Sequence, residues 1–358
     1  MVLAVGLAVT PLAMEFYSGD EVRLTELGGG MVKAIEVPVA TPTPVVVDEL
    51  TVERILGWSR GLLESEVGNL SQNEVVQVLL GGDMMLGRAV NFNMHRKKDF
   101  AYPVAKIADR FKQADIAIVN LEAPILAECE LTGEGMRLCS DPQSLFTLYS
   151  AGVDVVQLAN NHIWDFGLEG LEETKKWVNF QGIDESGLGE AAIKEVRGIK
   201  FGFLGFNQIW PIKEPVQNAT QEVLIQDISQ LKSEADIVFV GFHWGSEYTN
   251  VASAEQISLA RSAIDAGADV VWGQHPHWVQ GMEIYQGKPI FYSLGNLVFD
   301  QMWSKETREG LVVELNFWQD KLVEARLLPV FMEDFSQPEW QPVGIGNVTL
   351  GKVERASK

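Results

Sequence analysis

Two histidines stand one residue apart in VVWGQHPHWVQG, residues 270–281, where an apolar β-branched run ends, although the chain has only five histidines. His162 in LANNHIWDFG and His243 in IVFVGFHWGSEY close similar runs, and His95 sits in the basic string HRKK. Oxygen donors repeat the pattern. Asp83 ends VVQVLLGGD, Asn120 and Glu122 end DIAIVNLE, and Asn160 and Asn161 precede His162. Carboxylate, amide and imidazole groups together suit hard-to-borderline divalent cations such as Mn, Fe or Zn. A pair of such cations about 3.5 to 4 Å apart needs a bridging carboxylate and clamps the oxygens of a phosphoester or similar group. His162, directly after Asn161, would lean toward substrate as an acid or as a stabiliser of developing charge.

Residues so far apart in sequence can meet only if the intervening elements deliver them to one place. From residue 75 onward, apolar strand-like runs alternate with amphipathic segments of helical spacing. The helical stretches are 103–114, 141–152, 168–182, 222–235 and 254–267, with Asp141 as an N-cap and Gly152 as a stop in the second. A hairpin is expected over 192–207, and the stretches 288–296, 310–317 and 321–331 read as further β structure. Near-continuous apolar strands separated by helices indicate an α/β fold with its sheet covered on both faces. In open α/β sheets, sites form beyond the carboxyl ends of the strands, where all of the donors above stand. The main domain is set at 75–332, between an N-terminal segment, 1–74, and a C-terminal tail, 333–358.

Charge and flanks narrow the function. Lys and Arg total 28 against 49 acids, a net charge of −21, which repels duplex nucleic acid and anionic membranes. The first 14 residues are apolar but too short to span a bilayer, and admit two readings: a trimmed signal or anchor, or a buried strand. Residues 37–47 read as a proline-punctuated linker, and 47–63 as one helix. Cys129 and Cys139, the only cysteines, flank the turn residues TGEG. Their pairing would remove roughly 2 to 3 kcal/mol of unfolded-state freedom and favour an extracytoplasmic location, membrane-anchored if the first segment is an anchor.

Six strings in order, GGDMMLGR, VNLEAP, LANNHIWDFG, FHWGSEY, GQHPHWVQG and FYSLGNLVFDQ, resemble the CapA-type bacterial capsule synthesis family, over residues 75–331. That family is linked to poly-γ-glutamate biosynthesis and lies within the calcineurin-like metallophosphoesterase superfamily. The resemblance implies a four-layer α/β/β/α sandwich and two divalent metal ions. By position it implies Asp83 and His277 at the first metal, Glu122 as the bridge, Asn161, His243 and His275 at the second, and His162 against substrate. One place departs from the superfamily: the Asp-x-His motif here ends in Met85, a poor ligand for a hard cation.

Around this core, Arg88 is expected either to grip an anionic substrate group or to form a structural salt bridge. Glu247 and Tyr248 stand as substrate-facing or supporting residues, Asp165 as an orienting group, and Asn296 and Asp300 near the same edge. Trp244, Trp278 and Trp303 are candidate cleft walls, and HRKK (95–98) a solvated surface loop. Two functions compete. One is a metal-dependent hydrolase or transferase acting on an anionic surface polymer such as poly-γ-glutamate, or on its precursor. The other is a non-catalytic assembly or export component of a membrane synthase complex.

Overall fold

The computed structural model describes residues 49–357 apart from residue 72, together with a short antiparallel ribbon, Ala13–Met14 against Leu24–Thr25. The expectations for residues 1–14 and 37–47 otherwise lie outside the described residues. The compact unit Glu49–Lys358 carries every candidate site residue.

Its first sheet starts with four parallel strands, β1 (Val75–Met84), β2 (Ile116–Leu121), β3 (Val155–Gln157) and β4 (Asp184–Ser186). The second sheet contains β5 (Ala192–Val196), β6 (Ile199–Asn207), β7 (Ile237–His243), β8 (Val270–Gln274), β9 (Met282–Tyr285) and β10 (Lys288–Phe291), in the order β9-β10-β8-β7-β6-β5. Strands β6, β7, β8 and β10 are mutually parallel, and the edges β5 and β9 antiparallel. The chain then returns to the first sheet. There β11 (Asn296–Val298) pairs with the end of β1, and β12 (Glu309–Trp318), β13 (Lys321–Asp334) and β14 (Gln337–Trp340) extend it by antiparallel pairing.

Alternation along β1 shows how the layers form. Val76, Val78 and Leu80 face Phe201, Phe203, Phe239 and Trp272 in a core between the sheets. Leu79 faces the other way, into a core shared with four helices, α2 (Arg88–Lys97), α3 (Ala108–Gln113), α4 (Leu145–Ala151) and α5 (Gly167–Phe180). On the outer face of the second sheet, Val238, Val240 and Phe242 meet α6 (Gln221–Lys232) and α7 (Ala254–Asp265) through Leu224, Ile228, Ala260 and Ile264. The expected α/β/β/α sandwich is therefore the architecture observed. As the sequence predicts, Asp141 caps the turn before α4, and Gly152 ends that helix at a φ of 74°, where glycine is unstrained.

Two differences have clear causes. The HRKK string is not a loop: His95, Arg96 and Lys97 form the last turn of α2, and Lys98 is its left-handed C-cap. Basic side chains favour that end because it carries partial negative charge, and His95 Nε2 lies 2.6 Å from Asp141 Oδ2. The expected boundaries at 75 and 332 also fall inside the unit. Helices α1 (Val52–Ser59, capped by Thr51) and α8 (Val343–Ala356) pack against β13 and bury Ile55, Leu56, Trp58, Leu350 and Val353 in the inter-sheet core. The first sheet outruns the second through β12–β14, and its exposed apolar face needs this cover. Among the described residues no helix is long and apolar enough to cross a membrane.

Candidate metal centre

Parallel strands in both sheets end at one rim, and their last residues carry the polar groups. Asp83 is the last residue but one of β1, Asn120 lies in β2 with Glu122 just beyond, and His243 ends β7 opposite Gln274 of β8. Close backbone approach makes this possible. A Cβ on Gly82 would lie 2.0 Å from the carbonyl oxygen of Gly295, so only glycine lets β11 place Asn296 beside Asp83. After β8 the backbone turns sharply at the two spaced histidines. His275 and His277 both adopt left-handed conformations, φ 91° and 56°. Such strain costs on the order of 1–3 kcal/mol per residue and persists where the surroundings dictate it.

The side chains interlock. Asp83 Oδ1 accepts from Asn120 Nδ2 at 2.8 Å, and its Oδ2 accepts from the backbone N–H of His275 at 3.1 Å. The same Oδ2 lies 3.1 Å from His277 Nδ1, which is also 3.0 Å from Asn296 Oδ1. Two acceptors at Nδ1 place the ring hydrogen there and leave Nε2, 3.9 Å from Glu122 Oε1, as the lone-pair atom. His243 Nε2 lies 2.7 Å from Asn161 Oδ1 and 3.8 Å from Glu122 Oε1. The ring centroids of His243 and His275 are 4.9 Å apart.

Two trios result, Asp83–Glu122–His243 and Glu122–His275–His277, each with ligand atoms within 4.8 Å of one another. Glu122 belongs to both, the place expected of a bridging carboxylate. Asn161 joins through His243. Asp83 also contacts His277, and the His243 and His275 rings adjoin, the pairings that the resemblance implied.

Electrostatics fit cation binding. Burial first, and the charge of Asp83 second, push the Glu122 carboxyl well above its ordinary range. Burial also pushes His243 well below its ordinary value, and His275 down to about 3, with neighbouring histidines adding to both. His243 and His275 are therefore held in the neutral form, which offers a lone pair to a metal. Glu122 Oε1 and His275 Nδ1 are buried with no hydrogen-bond partner among the described residues. Orphaned polar atoms of this kind are costly unless something charged completes them. The donor set and its two unfilled atoms fit divalent cations. Met85 contributes nothing to them: it is buried among the helices, and its Sδ accepts from Gly87 N–H at 3.0 Å.

The remaining candidates separate into rim and support. His162 is part-buried, its Nδ1 2.9 Å from Asp165 Oδ2, so Nε2 is the free ring atom. Arg88 forms the salt bridge: Nη2 and Nε donate to the two oxygens of Asp300 at 2.5 and 3.1 Å, and Nη1 to the Gly135 carbonyl. Glu247 is exposed at the rim beside Tyr248. Burial first and Glu247 second push the Tyr248 hydroxyl up to about 12. Tyr248 lies near Trp278 and Trp303, ring centroids 6.4 and 6.1 Å away. Trp244 is no cleft wall: it is fully buried and stacked on Phe242 at 4.3 Å.

Sequence reasoning missed Gln301 and Thr307, which accept from Asn296 Nδ2 and so set the amide that orients His277. Gln301 lay inside a quoted motif, but a lone glutamine two residues from a turn carries no spacing signal. Thr307 lies in no motif. The predicted disulfide joins Cys129 and Cys139.

The profile of the family described as bacterial capsule synthesis protein PGA_cap matches residues 77–301. A capsule biosynthesis protein CapA of Bacillus anthracis is 31% identical over 74% of this chain and 69% of its own length. A PGA biosynthesis protein CapA of Bacillus subtilis is 31% identical over 76% of each. Among solved structures, a novel phosphatase from Mycoplasma pneumoniae has a TM-score of 0.49 at 16% identity, covering 73% of this chain and 95% of that one, too loose a likeness to assign chemistry.

Proposed function

The chain belongs to the bacterial capsule synthesis protein PGA_cap family, and from that premise we propose that it is a metal-dependent hydrolase or transferase acting on an anionic surface polymer, poly-γ-glutamate, or its precursor. The observation that carries this reading is Glu122, shared by two ligand trios with one buried oxygen left unpartnered. Asp83, Glu122, Asn161, His243, His275 and His277 would hold a pair of divalent cations such as Mn, Fe or Zn. Bound cations would supply Lewis-acid polarisation of a phosphoryl or carbonyl oxygen and offset the repulsion between an acidic chain and an anionic substrate.

The chain's own groups do the rest. Asp165 accepts from His162 Nδ1 and fixes the ring; as an imidazolium beside that carboxylate, His162 would hand its Nε2 proton to a departing group or donate it to developing charge. Tyr248, with its hydroxyl pushed up to about 12, remains a donor across the neutral range. Asp300 neutralises Arg88 on its two oxygens, so Arg88 braces the rim and reaches an anionic group only by exchanging partners. Glu247 supports Tyr248 in this scheme.

The test is metal analysis of the purified chain, followed by turnover of a generic phosphodiester and of a γ-glutamyl peptide, with His162→Ala as control. Retained metal with turnover lost in the variant is expected; metal-free protein with equal turnover in the variant removes the mechanism. The Cys129–Cys139 bond supports an extracytoplasmic setting, because disulfides persist in oxidising compartments.

Met85 favours a second reading, in which the fold serves assembly or export beside a membrane synthase complex without turnover. A metal position short of one ligand is what such a role would tolerate. Capsule complementation separates the two, since a purely structural component should still complement as His275→Ala.

A further inference from the structure

The loop closed by Cys129 and Cys139, whose Cα atoms are 5.9 Å apart, is largely exposed from Glu130 to Arg137 and buried from Leu138 onward. Its bonds run to the site. The backbone N–H of Leu138 donates to Asp165 Oδ2 at 2.7 Å, the same oxygen that lies 2.9 Å from His162 Nδ1. Arg137 Nε donates to the Asp165 carbonyl at 3.1 Å, and its guanidinium sits 4.1 Å from the Phe166 ring centroid. The Gly135 carbonyl accepts from Arg88 Nη1 at 3.2 Å. One loop thus touches Arg88 directly and reaches His162 through Asp165.

We infer that the disulfide-closed loop 129–139 is a positioning element of this site, with Arg137 and Leu138 setting Asp165 and Asp165 setting the His162 ring. The inference rests on the reading of His162 as substrate-facing. Held at Oδ2 by two N–H groups, the Asp165 carboxylate cannot rotate without breaking one of them. Freed of the loop, it would rotate about its side-chain bonds and give His162 Nδ1 no fixed acceptor. The loop has little apolar surface to hold it otherwise, since Leu131 and Met136 are 44% and 79% exposed. The covalent closure restricts what the side chains do not.

The test uses the full zinc-loaded chain, in which the ring nitrogens of only five histidines need assignment. Nitrogen-15 ring spectra, zinc content, and kcat and KM for bis(4-nitrophenyl) phosphate are compared among wild type, Arg137→Ala, Arg137→Lys and Cys129→Ser. Arg137→Ala and Cys129→Ser should move the His162 ring signals, leave those of His243, His275 and His277 in place, and keep the zinc. Where turnover is present, kcat should fall roughly tenfold with KM nearly unchanged, as for outer partners of a functional histidine, and Arg137→Lys should recover part of it. Unmoved His162 signals in both variants overturn the inference, as does a common shift of all the site histidines, which would mean local unfolding. A wild type with no turnover removes the hydrolytic reading alone, because the ring spectra still decide what the loop does.

Discussion

Asn161 Oδ1 and His243 Nε2 meet at 2.7 Å, although they stand 82 positions apart, Asn161 beyond a strand of the first sheet and His243 at the end of a strand of the second. Neither sheet alone could build the site. The inter-sheet core sets how the two sheets lie, and this contact ties their carboxyl ends across the gap.

Glu122 is the residue on which both ligand trios depend. Glu122→Gln should therefore abolish uptake at both positions together, where Asp83→Asn or His275→Ala should weaken one more than the other. Wild-type protein at a hundredfold excess of metal over its dissociation constant should gain about 2.7 kcal/mol of stability. The glutamine variant should gain close to nothing. Metal-free, it should be at least as stable as wild type, because a buried carboxyl with an orphaned oxygen is replaced by a neutral amide. Thermal unfolding with and without Mn²⁺, together with metal content, checks both halves.

Asn296 makes no contact expected of a ligand, yet its Oδ1 helps set the His277 ring while its Nδ2 is held by Gln301 and Thr307. Asn296→Ala should lower metal affinity by roughly 10- to 100-fold, the usual cost of removing an outer partner. The fold should survive, since Asp83 still contacts the same ring nitrogen. Calorimetric titration with Zn²⁺ reads the affinity, and circular dichroism the fold.

The legible part of this molecule was the part governed by periodicity. Runs such as 75–83 and 236–245 announced strands because both sheet faces are buried, and the polar residues ending them announced the rim. Helix α2 was hidden because its exposed face is basic and its buried face includes Asn91 and Asn93, which blur an apolar stripe. Helix α8 was hidden too: Gly344, Gly346 and Gly351 lower its propensity, and packing against β13 holds it. Within the site, residue types were readable but pairings were not. Which oxygen of Arg88's surroundings it would take, Asp300 or a ligand's, depends on a turn 212 residues away.

Phe239 marks the centre of the inter-sheet core, with ring centroids 5.0 Å from Phe203, 5.8 Å from Phe317 and 6.4 Å from Trp272. It is fully buried. Phe239→Ala leaves a void that rigid strands on both sides cannot close, and should cost about 3–5 kcal/mol. Urea unfolding should show a lower midpoint at an unchanged slope.

The anchoring of α8 should depend on pH in a defined way. Lys352 Nζ lies 2.6 Å from Glu309 Oε2 and 3.2 Å from Glu306 Oε1. Burial alone would push Lys352 down, but the two carboxylates outweigh it and hold the ammonium above its ordinary value. Glu306 is held below its ordinary range, first by its own backbone N–H and then, against burial, by Lys352. A raised cation gives stability that is complete below its unfolded value and lost as pH rises through the folded one. A lowered acid gives stability present above its unfolded value and lost as pH falls through the folded one. Lys352→Met should therefore cost about 1 kcal/mol at neutral pH, a part-exposed network contributing no more. The gap from wild type should narrow below about pH 4 and again above about pH 10.5. Urea midpoints of the two proteins across that range measure the gap, and a constant difference at every pH would show that packing, not charge, holds the helix.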